Sequence, residues 1–257
     1  MRVELAGIVF AIEGELPEAV AARYRAYLTD APATLACRVR CDAALQTDVA
    51  DEGIYPGALV EAAGARYRFF RRDLDARIDL DAGTLEVDAA PGLAVESALR
   101  IAVSLLLPRR GGLLLHSSGV IEGGRGYVFS GASGAGKTTT VRLLEPRTPL
   151  GDDLVALVPD GEGFRALATP FAGEYGVVAP VSAPLARLYF IEQADEHARI
   201  PLDAASARAR ILRNTLSYAR DVDTIGHLQD VADRLARRVP CARVRFLRDA
   251  GVARWLD

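Results

Sequence analysis

Apolar and polar positions alternate through much of the first hundred residues, and that period predicts strands. Val3, Leu5, Ile8 and Phe10 mark a strand over 2–12, bent at Gly7. Pro17 opens a helix reaching Leu28, with Val20, Tyr24 and Leu28 on one side. Leu35, Cys37, Val39 and Cys41 predict a strand that puts both cysteines on the core face with Val39. Two more strands fall within 58–61 and 66–70. Asp81-Ala82-Gly83 then joins 78–80 to 85–87 as a hairpin. After Ala90-Pro91-Gly92 the period lengthens. Val95, Leu99, Ala102 and Leu106 recur at helical spacing over 93–107, until Pro108-Arg109-Arg110-Gly111-Gly112 ends the run. The domain boundary is placed here: residues 1–108 form a β-rich α+β region with an apolar connecting helix, and residues 109–257 form a second domain.

The second part mixes both periods. Residues 113–121 read as one strand or two short ones, with His116, Ser117 and Ser118 inside. Tyr127-Val128-Phe129 is a short strand, 141–144 is helix-compatible, and 149–157 is a strand with Asp152 and Asp153 at its start. Gly161–Gly163 turns into 164–168, 169–174 is a loop, and 185–191 is a strong strand. Asp203 suits the N-cap of a helix carrying Ile211, Leu212 and Leu216. Val222, Ile225, Leu228, Val231 and Leu235 line one face of another helix over 221–239, and 244–246 is a last strand. Strands interleaved with helices predict an α/β fold with a mixed sheet.

Chemistry enters between the strand at 127–129 and the helix at 141–144. The stretch Gly131-Ala132-Ser133-Gly134-Ala135-Gly136-Lys137-Thr138-Thr139 matches the phosphate-binding pattern G-x-x-x-x-G-K-[ST]. Glycines let backbone N–H groups converge on phosphate oxygens, and a helix N-terminus adds a positive dipole end. Lys137 suits β- and γ-phosphates, and the Thr138 hydroxyl suits Mg2+. Lys137 is also the only lysine of the 257 residues, every other basic side chain being arginine. A compact ammonium is kept where a phosphate wants a point charge.

Phosphoryl transfer also needs metal ligands and a group that orients or deprotonates the acceptor. Asp152 and Asp153, one βα unit after the loop, are the leading candidates, and as strand neighbours they point to opposite sides. His116 is placed to meet a phosphate or a carboxylate, and Glu174, after a Pro turn, is a weaker candidate. His197 and His227 read as surface residues.

The totals restrict partners. A formal charge of -3 excludes a global basic field for nucleic acid. The longest apolar runs, such as 101–107, are too short to span a bilayer, and Met1-Arg2 leads into a strand with no secretory pattern. The expected setting is cytoplasmic, with no membrane and no nucleic acid.

The strings Leu115–Val120, Gly131–Thr138 and Gly151-Asp152-Asp153 together resemble the catalytic domain of HPr serine kinase/phosphorylase and the broader HPr-kinase-related proteins. The resemblance spans roughly 113–174. It implies the phosphate-loop fold shared with ATP-dependent phosphoenolpyruvate carboxykinase, with ATP and Mg2+ as cofactors. By position it makes His116 the active-site histidine, Asp152 the base toward a serine hydroxyl, and Asp153 its neighbour at the metal. This chain departs from the family in lacking an Arg-Gly-Leu-Gly run after the acid pair, in carrying Thr138 for serine, and in its N-terminal region.

The expected activity is therefore an ATP- and Mg2+-dependent kinase acting on a hydroxyl, first of all a serine of a protein or peptide. A small-molecule acceptor and a nucleotide-binding regulatory or scaffold module stand as alternatives, with a homo-oligomer as an option for assembly. Arg199, Arg208, Arg210 and Arg213 are candidates to stabilise transferred charge. The loop reads phosphates and leaves ATP and GTP undistinguished.

Overall fold

The computed structural model describes residues 1–45, 59–176, 178–247 and 249–256. The protein is α/β with mixed sheets, and its contacts divide it into two units. One joins Met1–Leu106 to Ser217–Ile225; the other joins Leu107–Leu216 to Gly226–Asp257.

The elements of the first part are β1 (Arg2–Leu5), β2 (Ile8–Glu13), α1 (Glu18–Tyr24), β3 (Leu35–Cys41), β4 (Leu59–Ala63), β5 (Arg66–Arg71), β6 (Leu74–Asp79), β7 (Thr84–Ala89) and α2 (Ala94–Arg109). The strands form one sheet in the order β1-β2-β3-β7-β6-β5-β4, with β2–β3 and β3–β7 parallel. The expected bent strand at 2–12 is a hairpin. Ala6 and Gly7, with φ of 55 and 79, reverse the chain so that Val3 pairs with Phe10. Ala58, the first residue of the next expected strand, lies outside the described residues.

Alternation puts Leu35, Cys37, Val39, Tyr67, Phe69, Ile78, Leu85 and Val87 on a buried face. Cys41, expected beside them, is exposed: it ends β3 past the core, with its thiol directed at the Glu15 carbonyl. Across the other face run ion pairs, Arg66–Asp79, Arg68–Asp75 and Arg40–Asp88. Segment Ser217–Ile225 is tied to this sheet by the Tyr67 hydroxyl, which accepts from the N–H of Arg220 and Asp221 and donates to the Asp221 carboxylate. Helix α2 continues through Pro108 to Arg109, so the break falls two residues later than expected.

The second part contains β8 (Leu113–Glu122), β9 (Arg125–Ser130), α3 (Lys137–Leu143), β10 (Thr148–Gly151), β11 (Leu154–Asp160), β12 (Gly163–Leu167), β13 (Ser182–Gln193), β14 (Ala198–Pro201), α4 (Ala204–Asn214), α5 (Val222–Arg238) and β15 (Cys241–Phe246), followed by a 3-10 helix at Ala250–Leu256. Strand β9 lies between β8, antiparallel to it, and β13, parallel to it; β13 is also parallel to β15.

Alternate residues of these strands feed two cores. Leu113, Leu115, Val128, Leu188 and Phe190 pack with Ile211 of α4 and with Val231 and Leu235 of α5. Val120, Phe129, Tyr189 and Ile191 pack with Val141 of α3 and with Phe246 and Trp255. The Asp203 carboxylate caps α4 by accepting the Ser206 N–H at 2.8 Å. Val222 and Ile225, expected on the apolar face of α5, are exposed, because that face only meets the core from Leu228 onward. His197, expected at the surface, has a buried side chain, with Nε2 2.8 Å from Asp249 and its ring edge-on to Trp255. Among the described residues, no helix is long and apolar enough to cross a membrane.

Candidate functional site

The end of β9 runs into Gly131–Gly136, and α3 starts at Lys137, so the glycine motif sits in a strand–loop–helix turn. The loop is tightly confined at two glycines. A Cβ at Gly131 would stand 2.9 Å from the Ile191 carbonyl oxygen. At Gly136, where φ is 102, it would stand 2.8 Å from the Phe246 ring. Ala132, Ser133 and Gly134 form the exposed tip, Ala135 and Gly136 return inward, and Thr138 and Thr139 are half-buried on the first turn of α3. Gln193, at the end of β13, donates from Nε2 to the Gly134 carbonyl at 2.6 Å.

Lys137 folds back over this loop. Its Nζ donates to the carbonyls of Gly131 at 3.2 Å and Ala132 at 3.1 Å, and only 8% of the residue is exposed. Burial lowers its pKa, while the nearby Asp153 and Asp152 carboxylates oppose that shift.

The acid pair lies in a break between β10 and β11 and not on one continuous strand as expected. Both strands pair with β8, β10 opposite Gly119–Ile121 and β11 opposite Leu113–His116. The register slips between Pro149 and Gly151, whose φ is 121. From Gly151 to Leu154 the register with β8 is regular, so the neighbouring Asp152 and Asp153 send their carboxylates to different partners. Asp152 is 3% exposed and accepts three hydrogen bonds: from the Thr138 hydroxyl at 3.0 Å, the Gly173 N–H at 3.0 Å and the Tyr175 N–H at 2.8 Å. Asp153 has a side chain 21% exposed, with Oδ1 3.2 Å from His116 Nδ1. His116 is held beside the loop because Ser130 Oγ donates to its carbonyl at 2.9 Å.

The structure thus gathers His116, Lys137, Thr138, Asp152 and Asp153 around the end of β9. The side chain of Glu174 is exposed, and what serves the site is the main chain on either side of it, at Gly173 and Tyr175. The Glu174 carbonyl accepts from Arg142 of α3 at 3.4 Å, and the Tyr175 hydroxyl donates to Glu145 at 3.2 Å, laying this strap along α3. Of the candidate arginines, Arg210 pairs with Glu192 at 3.2 Å over the Phe190 ring, Arg199 lies on β14, Arg208 is half-buried on α4 and Arg213 is exposed. Gly173, Tyr175, Gln193 and Phe246 carried no motif. Only the glycine of Ala172-Gly173 hinted at a close backbone approach.

A family model, SynChlorMet cassette protein ScmC, matches residues 92–245, more than half of the chain. The chain belongs to this family. No curated protein matches it. Among solved structures, the Hpr(Ser) kinase/phosphatase from Coxiella burnetii is similar at 12% identity and a TM-score of 0.29, over 52% of this chain and 84% of that one.

Proposed function

We propose that the chain is a kinase that transfers the γ-phosphoryl group of ATP to a hydroxyl, with a serine of a protein or peptide as the acceptor class. On this reading the second part of the chain is the catalytic domain, with a phosphate-loop nucleotide fold of the phosphoenolpyruvate-carboxykinase type. The observation that carries it is the hydrogen bond from Thr138 to Asp152 beside the buried Lys137. It brings the loop's hydroxyl, its ammonium and a carboxylate to one point.

The residues present fit the implied groups. A Cβ at Gly131 or Gly136 would collide with the Ile191 carbonyl or the Phe246 ring, so the loop holds its course between strand and helix only with glycine at these two positions of the phosphate-binding pattern. Lys137 supplies one positive charge against two carboxylates, so the site suits a polyanion only together with a cation. Thr138 and Asp152 offer two hard oxygen donors 3.0 Å apart, which suits Mg2+ completed by phosphates and water. When bound, the cation would neutralise charge on the β- and γ-oxygens.

The hydrogen bonds favour exchanging the roles expected of the two acids. Asp152, buried on Thr138, is the metal-side carboxylate. Asp153, half-buried and backed by His116, is the group that meets the acceptor. In the transfer, Asp153 takes the proton of the acceptor hydroxyl, whose oxygen forms the new bond to the γ-phosphorus as the bond to the β–γ bridging oxygen breaks and ADP departs. His116 orients that carboxylate, and Lys137 balances charge that builds on the leaving oxygens.

The test is incubation with γ-labelled ATP, Mg2+ and a library of serine peptides, comparing Asp152→Asn with Asp153→Asn. The reading expects label on peptide, its loss in both variants, and retention of Mg2+-dependent ATP binding only in Asp153→Asn. ATP bound without transfer by the natural chain would contradict the peptide-kinase reading. The reverse pattern of Mg2+ dependence would restore the original assignment of the acids.

A further inference from the structure

The glycine loop is bracketed by two different surroundings. On the β8 side stand His116, Asp152 and Asp153; Asp152 is linked to the loop through Thr138, and Asp153 to β8 through His116. On the β13 side stand the carboxyl ends of the two strands parallel to β9 in this region, β13 and β15. Two contacts set them against the loop: Gln193 Nε2 reaches the Gly134 carbonyl at 2.6 Å, and the Phe246 ring fills the space a Gly136 Cβ would need. The strand ends are tied together there, since the Ala194 N–H donates to the Phe246 carbonyl at 3.1 Å.

A triphosphate is linear, and its γ end belongs beside the acids. Its α end must therefore leave the loop on the opposite side. In open α/β sheets, ligands lie outside the carboxyl ends of the parallel strands. The β13–β15 end offers what a nucleoside needs. Leu247, directly after β15, is an apolar side chain 38% exposed, and Gln193 is an exposed amide with both donors and an acceptor. We propose that the ribose and base of the nucleotide lie over the ends of β13 and β15, with Leu247 as the apolar shelf and Gln193 as the polar contact. This inference rests on the reading of the loop as a triphosphate site and adds where nucleoside recognition occurs.

The experiment separates the two. Equilibrium binding of Mg·ATP and of Mg·tripolyphosphate, which has no nucleoside, is measured on the full chain, on Leu247→Asp and on Gln193→Ala. The natural chain is expected to prefer ATP by at least about ten-fold, roughly 1.4 kcal/mol. Leu247→Asp is expected to remove most of that preference while tripolyphosphate binding stays within about two-fold, well under 1 kcal/mol. Gln193→Ala, which also releases the Gly134 carbonyl, is expected to weaken ATP more than tripolyphosphate. Equal affinity of the natural chain for both ligands would overturn the proposal. So would a Leu247→Asp variant that keeps the full preference, or that loses both ligands alike. Binding of neither ligand to the natural chain would sink the reading of the loop itself, and the proposal with it.

Discussion

Gly173→Ala tests the strap that holds Asp152. A Cβ there would lie 2.9 Å from Asp152 Oδ2 and 3.1 Å from Cγ and Oδ1, well inside ordinary contact. The backbone conformation itself accepts alanine, so the perturbation is confined to this collision. To relieve it the strap must recede, lengthening the Gly173 and Tyr175 N–H bonds to the carboxylate, now 3.0 and 2.8 Å. Hydrogen bonds to a charged group contribute about 1.5–3 kcal/mol each. Losing one and weakening the other, less about 0.4–1 kcal/mol gained by restricting the unfolded chain, leaves a net cost near 2 kcal/mol. Urea unfolding at unchanged m-value is the assay. Repeated in an Asp152→Ala background, where the colliding carboxylate is gone, the same substitution is expected to lose this cost and to stabilise by about 0.4–1 kcal/mol. An equal cost in both backgrounds, or none in the natural chain, would refute the account of the strap.

Three further outcomes follow from single contacts. Gly136→Ala forces a side chain onto φ 102 and into the Phe246 ring, and is expected to cost about 1–3 kcal/mol in thermal unfolding and to weaken triphosphate binding. Glu96→Leu removes the buried acceptor shared by Arg23 at 3.1 Å and Arg100 at 3.0 Å, and should destabilise the chain by about 3 kcal/mol in denaturant titration. Burial pushes the Cys37 and Cys241 thiols from 9.0 up to about 12, whereas Cys41 is exposed. At pH 8 a thiol reagent should therefore modify Cys41 alone until the chain unfolds. Above pH 9 the unfolded chain gives up thiol protons that the folded chain keeps, so stability should fall as pH rises from 9 toward 12. A Cys37→Ala, Cys241→Ala chain should show a shallower fall.

What the sequence discloses tracks how local the cause is. The strand–loop–helix at Gly131–Thr138 is legible because phosphate chemistry demands those residue types at that spacing. The β6–β7 hairpin and the Asp203 cap are legible because their turn and cap chemistry lies within a few residues. The β1–β2 reversal reads only as a bend, because Ala6-Gly7 is a short step between apolar runs with no Asn, Asp or Pro to mark a full turn. The partners of the two acids were hidden for a different reason. A strand period sends neighbours to opposite faces, and Asp152 and Asp153 keep that register opposite β8, but the period does not say which distant groups wait on each face. The strap at Gly173 and Tyr175 and the ring of Phe246 reach the site from distant parts of the chain, and no local pattern announces them. Leu247 reads as an ordinary apolar residue at a strand end until β13 and β15 are seen beside the loop.

The most direct test of the central claim is calorimetric titration of ATP into the natural chain and into Lys137→Met, with and without Mg2+. The account predicts binding that strengthens with Mg2+ in the natural chain and is lost in Lys137→Met, with both proteins folded by circular dichroism. Unchanged ATP binding in Lys137→Met, or binding by the natural chain that ignores Mg2+, would contradict it.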